Sequence, residues 1–202
     1  MNATLNSASQ KAAIDEVLHA TADVVNQIPA LSEFAPVPGD LRFVPREPVA
    51  KPVTDCLQSG MPPPSAFTQS LVDAILSAIP HVEWRTTYTA EQVGADFVNR
   101  YGYFELYGPT GHYISQQSRA FIGYWGDNLH YPRHHHEAEE VYYILAGEAR
   151  FDVDNELSTR CRTEALQFHT TNQTHSMTTD DHAVLCLALW RGQGFGESAR
   201  LK

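Results

Sequence analysis

The sequence has few features of an extracellular or membrane-spanning protein. Its three cysteines, Cys56, Cys161 and Cys186, show no C-x-x-C spacing, which suits a reducing compartment better than a disulfide framework. No uninterrupted apolar run approaches the roughly 20 residues that a membrane span needs. The N-terminal residues also lack the basic and apolar regions of a secretory signal. We therefore expect a cytoplasmic protein that has no membrane partner.

Basic residues are also scarce. The 202 residues include 14 Lys and Arg against 24 Asp and Glu, which gives a formal net charge of −10. Nucleic acids and anionic membranes are bound through basic faces that displace counterions, so neither is an expected partner. The chain also lacks a glycine-rich phosphate loop and a G-x-S-x-G elbow, and it therefore carries neither of these catalytic or nucleotide-binding motifs.

The first half of the chain reads as helical and rich in proline. Apolar residues recur at three- and four-residue steps over residues 11–28 and about 66–79, which predicts two helices. A capping box formed by Thr89 and Gln92 begins a third helix. Eight of the twelve prolines fall within residues 36–64, and this density predicts an extended wrap without regular structure.

From about residue 102 the chain changes to short runs of aromatic and β-branched residues. Turn residues separate most of these runs, which lie at 103–107, 119–125, 140–147, 148–153, 165–169 and 183–190. Frequent short strands without strand–helix alternation predict an antiparallel sandwich or barrel. We therefore expect a mainly β protein, with a helical extension over residues 1–100 and a β-barrel over residues 101–202.

Four of the ten histidines lie between residues 130 and 136. Alternate side chains of a strand share a face, so His134 and His136 should project together. Glu140 and Tyr142 also share a face, and a turn between the two pairs can bring them opposite each other inside a barrel. Two imidazoles and one carboxylate form a ligand set for a divalent transition metal with open coordination positions. A solvated surface turn is the alternative explanation of a histidine cluster.

Aromatic residues surround this histidine cluster in the sequence. Tyr142 should point at the metal, and a nearby cation favours the phenolate, which lowers a pKa otherwise near ~10 and makes a general base available. A purely structural role in a β core is the alternative for any of these rings. The other aromatic residues near the cluster are Tyr131, Trp125, Tyr143 and Trp190.

The spacing from His134 to Gly147 resembles the first motif of the cupins, which are small antiparallel β-barrels that hold a metal in their mouth. The resemblance implies that His134, His136 and Glu140 are metal ligands and that a histidine on a later strand is the fourth. His175 fits this position best, while His169 and His182 remain candidates.

A longer set of residues resembles the cupin-type dimethylsulfoniopropionate (DMSP) lyases of the DddQ type, over the whole chain. The set consists of Tyr131, His134-x-His136, Glu140-x-Tyr142, His175 and Leu189-Trp190-Arg191-Gly192. The resemblance implies a metal-dependent β-elimination that converts DMSP to dimethyl sulfide and acrylate, with one divalent ion such as zinc, iron or manganese as cofactor.

The same resemblance assigns roles to the aromatic residues. Tyr142 would act as the base, and Tyr131 would orient the substrate or assist the proton transfer. The candidates for an aromatic wall facing the sulfonium would be Tyr131, Trp125, Tyr143 and Trp190. Two other functions stay open: a cupin dioxygenase or isomerase acting on another small carboxylate, and a non-catalytic cupin that binds a small molecule. A monomer and a homodimer are both expected possibilities.

Overall fold

The computed structural model of the chain describes residues 2–154 and 157–202, with side chains from residue 7 onward. Helices fill the first half of the chain. They are α1 (Asn2–Gln27), α2 (Pro29–Phe34), α3 (Val53–Gly60), α4 (Gln69–Ala78), α5 (Ala90–Val93) and α6 (Ala95–Arg100), with a 3-10 turn at Ile79–His81. None of the helices within the described ranges is long and apolar enough to cross a membrane.

The two long helices correspond to the periodic segments of the sequence. Helix α1 packs on α4, and apolar side chains such as Ile14, Val17 and Ile75 are fully buried there. Burying one such side chain stabilises the fold by about 1.5–3 kcal/mol. The helices predicted over residues 11–28 and 66–79 are therefore confirmed.

The prediction of an irregular wrap over residues 36–64 is wrong in two places. Residues 53–60 form helix α3, and Arg42–Phe43 form a short strand, β1. Pro52 directly precedes α3 and Pro62 follows it, so the prolines flank the helix rather than interrupt it. Proline is tolerated at the start of a helix and disfavoured inside it, so the proline-free segment between Pro52 and Pro62 can form a helix. The proline density averaged over residues 36–64 does not reveal this segment.

The predicted capping box is present at the start of α5. The Thr89 backbone N–H donates to Gln92 Oε1 over 2.9 Å. The helix lasts only one turn, because Gly94 adopts a φ of 89° and separates α5 from α6. Helix α6 then ends directly before the β-rich half of the chain begins.

Strands fill the second half. In chain order they are β2 (Tyr101–Gly108), β3 (Tyr113–Ile114), β4 (Arg119–Trp125), β5 (His130–His135), β6 (Glu139–Val153), β7 (Thr159–Arg162), β8 (Leu166–His169), β9 (His175–Thr178), β10 (Val184–Arg191) and β11 (Arg200–Leu201). They pair in the order β1-β3-β2-β4-β10-β6-β9-β5-β11, and β7 and β8 also pair with β6. Within residues 2–154 and 157–202, these strands pair antiparallel except β2 with β3.

The long strand β6 belongs to two layers of sheet. Its first half pairs with β8 and β10, and its second half pairs with β7 and β9. Gly147 lies between the halves with a φ of 84°, and a Cβ there would come within 1.9 Å of the Ala183 carbonyl oxygen. Only glycine fits this bend. The predicted mainly β architecture, an antiparallel barrel with an N-terminal helical extension, is confirmed.

Among the residues that the structure describes, buried apolar side chains form two clusters. One cluster joins the helices to the outer face of the sheet and includes Ile14, Phe104 and Tyr143. The other lies inside the barrel and is rich in aromatic residues, among them Tyr101 and Trp125. Because successive residues of a strand face opposite sides, neighbouring tyrosines can belong to different clusters.

Candidate active site

Four of the predicted ligand residues converge inside the barrel. His134, His136, Glu140 and His175 are each at most 4% exposed. Strand pairing explains the convergence, since β5 places His134 directly opposite His175 on β9. One ligand atom from each of the three histidines lies within 4.8 Å of the others. Glu140 Oε2 lies 3.1 Å from His136 Nε2 and 3.3 Å from His175 Nε2.

Backbone carbonyls hold the three imidazoles in one orientation. The Nδ1 atoms of His134, His136 and His175 lie 2.8–2.9 Å from the carbonyl oxygens of Pro132, Ala138 and Gln173, respectively. Such a bond places the proton on Nδ1 and leaves the Nε2 lone pair free. The Nε2 atoms of His136 and His175 face Glu140. The donor set therefore fits a divalent transition metal, with three neutral imidazoles and one carboxylate.

Two charges of the cluster agree with this donor set, and that of His136 differs. Burial alone would raise the pKa of Glu140, but His136 and His175 hold it well below its usual range. Burial lowers the pKa of His134 to about 3. Burial alone would lower the pKa of His136, but Glu140 raises it, so a metal would displace a proton from this imidazole. A carboxylate and a neutral imidazole are the protonation states that bind a metal.

The two other candidates for the fourth ligand differ in position. His182 is exposed in the turn between β9 and β10, away from the cluster. His169 is buried, and its ring stacks on that of His175 with centroids 3.7 Å apart and planes 9° from parallel. The nitrogen lone pair of an imidazole lies in the plane of its ring. A ring nitrogen of His169 also lies within 4.8 Å of ligand atoms of Glu140 and His175. The parallel rings of His169 and His175, however, direct their lone pairs along separate planes and not at one point, so the geometry favours His175 as partner of His134 and His136.

Both predicted catalytic tyrosines point into the barrel. Tyr142 is 5% exposed, and its ring lies edge-on to Trp125 with centroids 6.1 Å apart. The Tyr131 ring lies 4.3 Å from that of His134. Burial, and after it the charge of Glu140, raises the pKa of Tyr142 well above its ordinary value. A cation bound by the histidine cluster acts in the opposite direction.

A cavity lies against this cluster. Its lining includes the predicted residues Trp125, Tyr131, His134, Glu140, Tyr142 and Trp190. It also includes residues that sequence analysis missed, notably Tyr101, Tyr103, Arg119 and Phe121. The alternation of β2 could have revealed the first two, because Tyr101 and Tyr103 have the same parity and pair with Trp125 and Gly123 of β4.

Two of the predicted wall residues have different surroundings from those expected. Tyr143 does not line the cavity; it faces the opposite side of β6 and packs in the cluster shared with the helices. Its assignment to the sulfonium wall is wrong, since its parity is opposite to that of Tyr142. Trp190 does line the cavity, and its indole Nε1–H donates to Glu140 Oε1 over 2.5 Å.

Comparisons with known proteins agree with the geometry. The family model described as DMSP lyase matches residues 15–186. The DMSP lyase DddQ of Ruegeria pomeroyi is 34% identical over 164 residues, which cover 81% of this chain and 82% of the relative.

Two solved structures extend the similarity to three dimensions. A chain from the crystal structures of the DMSP lyases RdDddP and RnDddQII superposes with a TM-score of 0.93 at 41% identity, covering 96% of this chain and 99% of that chain. The crystal structure of DddQ from Ruegeria pomeroyi gives a TM-score of 0.89 at 31% identity, covering 94% and 96%. The cupin-type fold expected from the sequence is thereby confirmed, and the chain belongs to the dimethylsulfoniopropionate lyase family.

Proposed function

We propose that this protein is a carbon–sulfur lyase that cleaves DMSP to dimethyl sulfide and acrylate by β-elimination. The observation that carries the proposal is the convergence of three imidazoles, the Glu140 carboxylate and Tyr142 beside one aromatic cavity. Membership of the DMSP lyase family supports the choice of substrate. The reaction consumes no oxidant and no reductant: the α-proton leaves, the C–S bond breaks, and its electron pair stays on sulfur.

The histidine cluster supports a role in activating the substrate carboxylate. The proton α to a carboxylate is very weakly acidic, so the developing negative charge needs stabilisation. A divalent ion held by His134, His136, Glu140 and His175 would supply this as a Lewis acid. Zinc, iron and manganese all suit three imidazoles and one carboxylate, and the choice among them stays a prediction.

Tyr142 is the proposed base. It lies two residues after Glu140 on β6, lines the cavity and is buried from bulk water. Its pKa is raised by burial and by Glu140, so the tyrosine depends on positive charge at the histidine cluster to lose its proton. Tyr131, which also lines the cavity, is proposed to orient the substrate or assist the proton transfer.

The sulfonium end of DMSP needs an environment that tolerates a cation without hydrogen bonding. Aromatic faces do so through cation–π attraction, worth about 0.5–2 kcal/mol each. Tyr131 and Trp125 are the predicted residues that fit this role, and Tyr101 and Tyr103 extend the same wall. Trp190 remains a candidate, although it already lies against His136 and faces the Arg119 guanidinium.

Three further properties belong to the proposal. A cytoplasmic location is supported by three free cysteines, and the protein is expected to act as a monomer or a homodimer without nucleic-acid or membrane partners. A cupin dioxygenase or isomerase would use the same ligands, whereas a non-catalytic binder would need no ionisable base beside Glu140.

Headspace dimethyl sulfide from metal-quantified protein tests the proposal. The parent should release dimethyl sulfide from DMSP, while Tyr142→Phe should lose turnover by about 10²–10⁴-fold, the usual contribution of a general base, with nearly unchanged metal content. Retained activity in Tyr142→Phe would remove this residue as the base. A fully metallated parent that releases no dimethyl sulfide would overturn the assignment of DMSP as substrate.

A further inference from the structure

Residues 192–199, here named the C-terminal strap, close one side of the reaction cavity. Three of its residues, Glu197, Ser198 and Ala199, belong to the cavity lining. Glu197 and Ser198 also line a second cleft on the outside, near His135 and Glu137. The strap therefore separates the cavity from the outer surface.

Both ends of the strap are fixed to strands that carry site residues. It begins directly after β10, which carries Trp190, and ends at β11, which pairs with His134 and His135 on β5. Between these ends Gly194 has a φ of 72°, and a Cβ there would come within 2.6 Å of Glu137 Cβ. Glycine thus lets the strap pass close over the segment between β5 and β6.

Arg119 holds the middle of the strap from inside the barrel. Its Nη1 donates to the carbonyl oxygens of Phe195 and Glu197 over 3.2 and 2.9 Å. The side chain is buried, lines the cavity and lies 4.5 Å from the centre of the Phe121 ring. Hydrogen bonds from a charged donor are roughly twice as strong as neutral ones.

Glu105 orients the Arg119 guanidinium. Its carboxylate is completely buried and accepts from Arg119 Nη2 over 2.8 Å. Thr110 donates to the same carboxylate through its backbone N–H and its hydroxyl, and Arg85 Nη1 adds a longer contact of 3.3 Å. A buried charge with this many partners keeps a defined position.

We propose that Arg119, oriented by Glu105, is a positioning residue for substrate binding. By fixing the strap, it completes the outer wall of the cavity, which retains the substrate and excludes water from the site. The inference rests on the proposed function, because the retained molecule is the DMSP of the lyase reaction. Arg119 takes no part in the proton transfer itself.

Two arginine variants separate this role from a general effect on stability. Arg119→Met removes the bonds to the strap, whereas Arg85→Met removes another partner of Glu105 that makes no contact with the strap. For Arg119→Met we expect KM for DMSP to rise by about tenfold or more, with kcat changed by less than about threefold and metal content unchanged. For Arg85→Met we expect parent-like KM and kcat.

Limited trypsin digestion of the metal-loaded protein adds a readout that needs no activity. Cleavage after Arg191 and Arg200, at the two ends of the strap, should be faster by about tenfold in Arg119→Met and unchanged in Arg85→Met. Arg119→Lys keeps the charge beside Glu105 but cannot donate to two carbonyls in the same geometry. Arg119→Lys should unfold at the same temperature as the parent, while its KM for DMSP and its rate of cleavage by trypsin should both rise, as in Arg119→Met.

A parent-like KM and a parent-like rate of cleavage in Arg119→Met would overturn the proposal. Changes in Arg85→Met as large as those in Arg119→Met would also overturn it. If the parent does not cleave DMSP, the proposed function fails and the role in substrate binding fails with it. The digestion then still decides whether Arg119 holds the strap.

Discussion

Trp190 on β10 donates its indole N–H to Glu140 on β6, and its ring lies 4.1 Å from that of His136. The two strands are paired so that Trp190 stands directly opposite Glu140. The Trp190 side chain therefore orients two groups of the candidate metal site, the Glu140 carboxylate and the His136 imidazole ring. Groups that orient metal ligands in this way commonly matter almost as much as the ligands themselves.

Replacement of Trp190 by Phe should weaken metal binding or activity by about 10–100-fold, the usual cost of losing such a partner. The phenyl ring can still contact His136, but Glu140 Oε1 loses its donor. Metal content after dialysis against a chelator, together with kcat/KM, measures the effect. Trp84→Phe, in the core shared with the helices, is the matched control, and equal behaviour of the two variants would contradict the role of Trp190.

The three adjacent histidines should respond differently to substitution. His134 and His136 face the cluster, so His134→Ala and His136→Ala should each lower both metal content and rate, by at least about tenfold. His135 has the opposite parity and lines the outer cleft, which His136 also borders, and it has no part in the buried cluster. His135→Ala should retain the parent's metal content and rate, as measured by elemental analysis and product release. Metal loss in His135→Ala alone would place the site elsewhere.

His169 should act as a packing surface for His175 and not as a ligand. His169→Phe keeps a flat ring against His175 and should retain the bound metal, whereas His169→Ala should loosen the ring and lower the metal affinity. Competition with a chelator measures both variants. Equal metal loss in His169→Phe and His175→Ala would instead make His169 a ligand.

His112 should make the free energy of unfolding depend on pH. The residue is buried beside Phe104 of β2, and its Nε2 accepts the Glu83 backbone N–H over 3.2 Å. Burial, with Arg46 and Arg85 nearby, lowers the pKa of His112 from 6.5 to about 4. Between these values the unfolded chain binds a proton that the folded chain does not.

The stabilisation linked to His112 is therefore complete above pH 6.5 and is lost as the pH falls through about 4. The lowered pKa corresponds to about 3 kcal/mol. Between pH 7 and pH 4, the free energy of unfolding of His112→Asn should therefore fall by about 3 kcal/mol less than that of the parent protein. Denaturant unfolding at both pH values measures it, with the exposed His182→Asn as control. An unchanged pH dependence in His112→Asn would contradict the linkage.

Residue parity predicted the inner part of the site. His134, His136, Glu140 and Tyr142 were placed on one face because side chains alternate along a strand, and the structure brings them together. The same rule places Tyr143 on the other face, and the expectation that it would join the sulfonium wall departed from that rule. Parity applies within one strand and needs no knowledge of distant pairing.

The outer part of the site depends on contacts between residues far apart in the sequence. Arg119 meets Glu197, 78 residues later, only because β11 returns the chain to β5. Similarly, the proline-free segment that forms α3 lies among prolines that suggested no regular structure. Local patterns do not determine such features, since tertiary packing selects them.

Product analysis under anaerobic conditions tests the central claim most directly. Metal-quantified protein incubated with DMSP should release dimethyl sulfide and acrylate in equal amounts, with one proton per turnover and no requirement for oxygen. This result would separate the lyase from an oxygen-dependent cupin with the same ligands. Absence of both products, or products that form only when oxygen is consumed, would contradict the account.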